Sequence, residues 1–389
     1  MNALRLAAIP LLLSSPALAQ TAISDEIAAS GLSKTEARLS ALTAPSDEER
    51  FALGGVRFLG AIERLLQAQS PNVPWNDLFF VPIPQVMMGD PDAGPAMPED
   101  LANQMRALSE SMALARSALQ DIPETSGFGL TVNLGDLWFD INSDGAWSPG
   151  EGLMEFGRFT VTEDAASPVV RFDVADAAWL AAYTHVLAGI ADVVLAYDPT
   201  EAIRTVSESR TAFAGLSPLG DETAAYLPFR QIDAVSILLR MLDQQPDPAR
   251  LRHARENLLA MVAQNRLFWS RVAAETDDEA EWVPNDAQQS ATGIDLPVGT
   301  GGAWLAVLDE VEAILQGELL IPFWRTGDGA GLNVARLFTE PRPIDVAGWI
   351  QGADALPYLE KGPLASAEAL SGFNDLVGGD GLMLSFFLN

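Results

Sequence analysis

The stretch from Asp173 to Tyr197 limits the possible folds more than any other part of the chain. Residues Val174 to Tyr197 are apolar on nearly every face of a helix. A helix without a polar face must be covered on all sides, by lipid or by other protein. Much of its apolarity is alanine, and it carries His185, Gly189 and Asp192. Ionisable groups are costly in mid-membrane, so the composition favours a buried central helix over a membrane span. Asp173 is positioned as its N-cap. With 389 residues, 48% of them hydrophobic and 20% charged, the chain can bury a core around such a helix.

The rest of the sequence repeats the helical period. Ser33-Lys34-Thr35-Glu36 and Ser46-Asp47-Glu48-Glu49 are capping boxes. The second opens a run with Val56, Leu59, Ile62 and Leu66 at helical spacing. Leu101, Met105, Leu108, Met112, Ala115 and Leu119 form a 4-3 stripe. Further helices are expected over Leu227 to Leu242 and Pro248 to Ala274, the latter with Asp247 as N-cap and Pro248 in its first turn. Another is expected over Trp304 to Leu315. Strand signals are few: Leu130, Val132 and Leu134 alternate, and Val169 to Phe172 is a short candidate. The expectation is a mainly α fold, a bundle-like helical core with a small β/loop segment. Along the chain this gives a signal peptide (1–19), an N-terminal helical region (20–122) and a loop segment with short strands (123–172). A helical core (173–320) and an irregular C-terminal region packed on it (321–389) complete it, with 20–389 as one compact unit. Residues 71–98 read as a long Pro-, Gly- and Asp-rich loop.

The first twenty residues carry a targeting pattern. Arg5 precedes an apolar stretch from Leu6 to Leu13, Pro16 breaks it, and Ala17-Leu18-Ala19 offers small residues for cleavage. The stretch is shorter than the roughly 20 residues needed to span a bilayer. Cleavage after Ala19 and a periplasmic or secreted location are expected, with no stable membrane insertion afterwards.

Charge and composition remove several function classes. The chain has 23 basic and 53 acidic residues, a formal net charge of −30. Such a surface repels phosphate backbones, so no nucleic-acid partner is expected. There is no cysteine, which excludes disulfides, thiolate metal sites and cysteine nucleophiles. Two histidines are too few for a His-rich metal centre.

One segment carries recognisable chemistry. Asp140-Ile141-Asn142-Ser143-Asp144-Gly145-Ala146-Trp147-Ser148-Pro149-Gly150-Glu151 places oxygen-bearing side chains at positions 1, 3 and 5 of a twelve-residue loop. Gly145 falls at position 6, where the chain turns with positive φ. Ala146 offers its carbonyl at position 7, Ser148 acts through a water at position 9, and Glu151 can bind through both oxygens at position 12. A hard cation with six to eight oxygen ligands suits this spacing, and the bidentate Glu151 favours Ca2+ over Mg2+. The stretch resembles the EF-hand and dockerin-type calcium loops over these dozen residues and nowhere else. The resemblance implies a calcium site formed by Asp140, Asn142, Asp144, Ala146, Ser148 and Glu151. Trp147 departs from the small aliphatic residue usual at position 8, and no second loop of this pattern occurs. A paired, opening calcium sensor is therefore not expected.

Other candidates have simpler readings. His185 and His253 lie on helices with no recognisable catalytic partner, and His185 reads as a packing residue. The Gly-rich stretch from Trp324 to Asn333 matches no nucleotide fingerprint. Arg325, Arg336, Arg342 and Asp345 are expected to form a buried ion-pair lattice or, alternatively, a polar cleft. The acidic run from Thr276 to Glu281 reads as a solvated helix end or loop. Three functional expectations follow. The first is an exported, non-enzymatic protein with one structural calcium ion. The second is an exported all-helical hydrolase directed at polysaccharide and stabilised by calcium, which needs two facing carboxylates in a cleft. The third is a cell-surface module with a protein or glycan partner.

Overall fold

The computed structural model describes residues 17–68, 97–156, 167–216 and 229–389. The body of the signal sequence, most of the expected 71–98 loop and the start of the helix expected from Leu227 lie outside the described residues. The architecture is mainly helical, as the periodicity requires. Its helices are α1 (Ala17–Ser40), α2 (Asp47–Gln67), α3 (Asp100–Gln120), α4 (Leu153–Phe156) and α5 (Val174–Ala196). They continue with α6 (Thr200–Leu216), α7 (Phe229–Leu242), α8 (Pro248–Val272) and α9 (Thr300–Gln316). Four short helices close the chain: α10 (Val334–Thr339), α11 (Val346–Gln351), α12 (Glu368–Leu376) and α13 (Gly381–Leu388).

Helix α5 is the central element, packed chiefly against α8 and α3. It is the one described helix long and apolar enough to cross a membrane by length and composition, and most of that apolar stretch is buried inside the protein. Its small residues let neighbours approach: a Cβ on Gly189 would lie 3.5 Å from the Ala254 carbonyl oxygen of α8. The caps expected at Ser46, Asp173 and Asp247 are in place. Asp173 accepts from the Ala175 N–H at 2.7 Å, and Asp176 accepts from the Asp173 N–H at 2.9 Å, closing a capping box. Asp247 accepts from the Ala249 N–H at 2.8 Å ahead of Pro248. Ser46 and Glu49 cap α2 reciprocally. The stripe from Leu101 to Leu119 is the buried face of α3. Close to it, Gly54 of α2 meets Leu119, whose Cδ2 would lie 2.7 Å from any Cβ there.

Two differences from the sequence reading concern helices. Helix α1 starts as early as Ala17 and kinks at Gly31 (φ 76°), just ahead of the Ser33 capping-box sequence. Helix α6 has no counterpart in the periodicity analysis, because its apolar face is narrow: Ala202, Ile203 and Val206 are buried and most of the rest is exposed.

The two strand candidates pair. β1 (Leu130–Asn133) and β2 (Val169–Phe172) form an antiparallel ribbon with Leu130 opposite Phe172 and Asn133 opposite Val169. A second small sheet was not foreseen: β3 (Ile321–Pro322), β4 (Ala330–Leu332) and β5 (Leu359–Lys361), in that order and antiparallel. Its strands are two or three residues long, too short for alternation to register. One apolar cluster runs from Ile23 of α1 through the ribbon and α5 to Leu388 of α13.

Candidate functional site

The loop from Asp140 to Glu151 leaves the ribbon side of the molecule as a hairpin. A short 3₁₀ turn, Leu134–Asp136, precedes it and the single-turn helix α4 follows it. Its two ends are tied in β fashion: Phe139 N–H donates to the Glu151 carbonyl at 2.9 Å, Leu153 N–H to the Leu137 carbonyl at 2.8 Å, and Trp138 bridges Gly152. Buried Leu137, Trp138 and Phe139 anchor this end in the core, and the Trp138 indole N–H donates to the Ile27 carbonyl at 2.9 Å. Gly145 takes φ 74° and Gly150 φ 96°, so the turn at position 6 requires the freedom only glycine has cheaply.

The loop acids are held by backbone N–H groups. Glu151 is buried. One of its oxygens accepts from Ile141 N–H at 3.0 Å and Asn142 N–H at 3.3 Å, and the other from Ser148 N–H at 2.8 Å. Asp140 uses Oδ2 to accept from Gly145 N–H at 3.0 Å, while its Oδ1 is buried without a hydrogen-bond partner. Asp144 accepts from Ala146 N–H at 2.8 Å and from the Asn142 amide at 3.1 Å, and Asn142 Oδ1 accepts from Asp144 N–H at 2.9 Å. Residues 142–147 are exposed, Trp147 among them, and Ser148 is half-buried. Glu151 and the Oδ1 of Asp140 thus lie at the buried end, whereas Asn142, Asp144, Ala146 and Ser148 belong to the outer part. Among the described residues, no group of three or more His, Cys, Asp or Glu side chains converges closely enough to hold a metal ion.

Two residues outside the loop grip its first position. From α2, Glu63 accepts the Asp140 N–H at 2.8 Å and the Gln67 amide donates to the Asp140 carbonyl at 2.7 Å. Glu63 is buried, and burial pushes its carboxyl above the usual range, with Asp140 and Glu151 adding to the rise. Sequence reasoning missed both. The available signal was a polar pair one helical turn apart at the end of an otherwise apolar face of α2.

A second group of carboxylates gathers where β2 runs into α5 and α8 ends. Asp173, Asp176, Glu275 and Glu281 all have raised pKa values. Burial is the first cause in each, and the charges of neighbouring acids add to it. Glu275 is pushed up to about 7. Within the run from Thr276, Glu281 is buried and accepts from the Glu279 N–H at 2.9 Å, which corrects the expectation of a wholly solvated helix end. The reason is the ribbon: the Arg171 N–H of β2 donates to the Ala280 carbonyl at 2.9 Å and draws the segment in.

The remaining candidates separate. His185 is half-buried and its Nδ1 lies 2.9 Å from the Asn257 Oδ1 of α8; burial lowers its pKa. Asn257 in turn donates to Asp192 at 3.3 Å, which pairs with Arg250 at 2.9 Å. This polar strip joins α5 to α8 and explains the ionisable residues on the central helix. His253 is exposed. The C-terminal arginines do not form the expected buried lattice. Arg336 pairs with Glu340 at 2.6 Å and Glu360 at 3.1 Å near the surface. Arg325 lies over the exposed Trp324 ring at 4.6 Å, and Asp345 caps α11 through Ala347 N–H at 3.0 Å. Long arginine stems let the charged heads stay in water.

An apolar cavity of about 360 Å³ lies between α1, α2, the ribbon and α5, with Phe51, Val56, Leu130, Trp179 and Trp282 in its walls. None of the described lining residues is an acid, so the cavity does not supply the facing carboxylates that glycoside hydrolysis needs.

Comparison with protein families, curated proteins and solved structures yields no match.

Proposed function

We propose that this is an exported calcium-binding protein in which one structural ion, held by the loop from Asp140 to Glu151, fastens the ribbon segment to the helical core. The observation that carries this reading is the state of Asp140. One of its oxygens fixes the Gly145 turn, while the other is buried with no hydrogen-bond partner, and Glu151 of the same loop is buried too. Leaving a buried carboxylate oxygen unsatisfied costs free energy, and a cation at that point removes the cost. Glu151 keeps acceptor capacity after its three N–H bonds, since a carboxylate has about four lone-pair sites. Asn142, Asp144, the Ala146 carbonyl and a water on Ser148 complete the set. Repulsion among the three loop carboxylates, with Glu63 behind them, is relieved by a +2 charge.

The role proposed for the ion is mechanical. Glu63 and Gln67 hold position 1 against α2, and Leu137, Phe139 and Leu153 hold the hairpin ends in the core. Ordering the exposed turn then couples the loop to the rigidity of both. The targeting pattern at Arg5 to Ala19 carries the proposed export, and the outside of a cell supplies calcium at levels that suit an unpaired loop, with Kd of roughly 10⁻⁴–10⁻³ M. Titration of chelator-treated protein should give one calcium site and a higher melting temperature, worth about 2.7 kcal/mol at 100-fold excess over Kd. Absence of both calcium heat and a calcium-dependent melting shift would reduce the loop to a turn.

A further inference from the structure

The cavity between α1, α2, the ribbon and α5 also takes Leu137, Phe139 and Leu153 of the hairpin ends as walls, and none of the proposed calcium ligands lines it. From its volume and walls we infer that it takes the alkyl chain of one uncharged amphiphile. Three observations lead there. First, the described lining is apolar throughout, contributed by Ile23 and Ile27 of α1, the ribbon residues Leu130 and Val132, and aromatic rings at the Trp179–Trp282 end. Such walls offer nothing to a sugar, nucleotide or ion.

Second, the size is that of a chain. An engineered cavity of about 150 Å³ accepts benzene, so the 360 Å³ here accommodates roughly twelve to fourteen carbons on the same scale. Third, α2 opens towards this space where a side chain would ordinarily stand. Gly55 lines the cavity, and a Cβ built on it meets nothing within 4 Å. Glycine inside a helix is destabilising relative to alanine, and it leaves the cavity larger. A carboxylate or phosphate head is disfavoured, because the net charge of −30 repels anions.

Quenching by brominated alkanols tests the inference. Titration of the full, organic-extracted protein with 12-bromododecan-1-ol should quench tryptophan fluorescence saturably, at one molecule per chain. Unbrominated n-alkanols should compete with affinities rising about fourfold per added methylene, levelling off near twelve to fourteen carbons. Gly55→Leu places a side chain in the open space, and it should weaken binding at least tenfold while the circular dichroism spectrum stays native. Unsaturable quenching, or affinity that keeps rising to eighteen carbons, would mean surface adsorption and overturn the site. So would a folded Gly55→Leu that binds as the wild type does. Absence of binding by the extracted wild type would mean that the protein fills this space itself, and would equally overturn it. Should Gly55→Leu fail to fold, the chain-length series on the wild type decides alone.

Discussion

The protein keeps two groups of carboxylates next to its small ribbon, and it treats them in opposite ways. In the loop from Asp140 to Glu151 the acids face backbone N–H groups. Glu151 collects three, and Asp140 and Asp144 one each. At the junction of β2, α5 and the end of α8, Asp173, Asp176 and Glu281 accept one N–H each, and burial among neighbouring acids shifts them and Glu275 towards holding a proton. Similar side chains thus make one place proposed to hold a cation and another suited to protons. The three donors on Glu151 set the loop apart, and burial among like charges sets the junction apart.

The sharpest way to break this contrast is to neutralise one buried acid in each group. Glu151→Gln presents an amide to N–H donors that need an acceptor, and it removes the proposed bidentate ligand. We expect a loss of about 2–4 kcal/mol of stability and disappearance of any calcium-dependent rise in melting temperature. Asp176→Asn keeps an oxygen for the Asp173 N–H and removes a carboxyl that burial disfavours as an anion. Its melting temperature at pH 8 should equal or exceed the wild type. If both substitutions destabilise the protein alike, the two groups do not differ as argued.

A second test uses pH. The folded pKa of Glu275 is raised to about 7 from an ordinary value of 4.5, first by burial. Between those values the folded state binds more protons than the unfolded state, so stability must fall as pH rises through that window. Below about 4.5 both states are protonated, and above about 7 both are ionised, so the contribution is flat outside it. In chelator, the melting temperature should decline from pH 5 to pH 7.5, and Glu275→Gln should flatten part of that decline. Asp173, Asp176 and Glu281 act in the same direction, and the single substitution leaves their share. A melting temperature that rises steadily over this window would contradict the protonated reading of the second group.

These regions also differ in how well the sequence disclosed them. The loop is local: its turn glycine, its oxygen positions and Glu151 lie within twelve residues, and Gly145 takes the positive φ that the spacing demands. The second group is assembled from two stretches about a hundred residues apart, 173–176 and 275–281, and only the cap role of Asp173 was legible. The same distinction runs through the fold. Central helix α5, the stripe of α3 and the caps of α2 and α8 are short-range patterns and were readable. Glu63 and Gln67, which bind the loop from α2, became visible only once α2 and the ribbon were packed together. The cavity is the extreme case, because an absence of side-chain volume, such as that at Gly55, leaves no periodic trace.

The smallest expected effect concerns Trp147, which sits in the exposed part of the loop at 54% relative exposure. It marks the boundary between the buried end, where Asp140 and Glu151 are already positioned, and the outer turn, where Asn142 and Asp144 satisfy each other and their own backbone. If an ion recruits the outer oxygens, the backbone at Ala146 must turn its carbonyl inward, and the adjoining indole changes its contact with water. Emission should then shift by a few nanometres on calcium addition, and the shift should vanish in Trp147→Phe while the melting response persists. In Glu151→Gln both should vanish, because the inner anchor is lost. A calcium-dependent melting shift with no change at Trp147 would place the ion at the inner end alone, on Asp140 and Glu151. The outer residues would then be a turn and nothing more, since their hydrogen bonds would already be the ones the backbone needs.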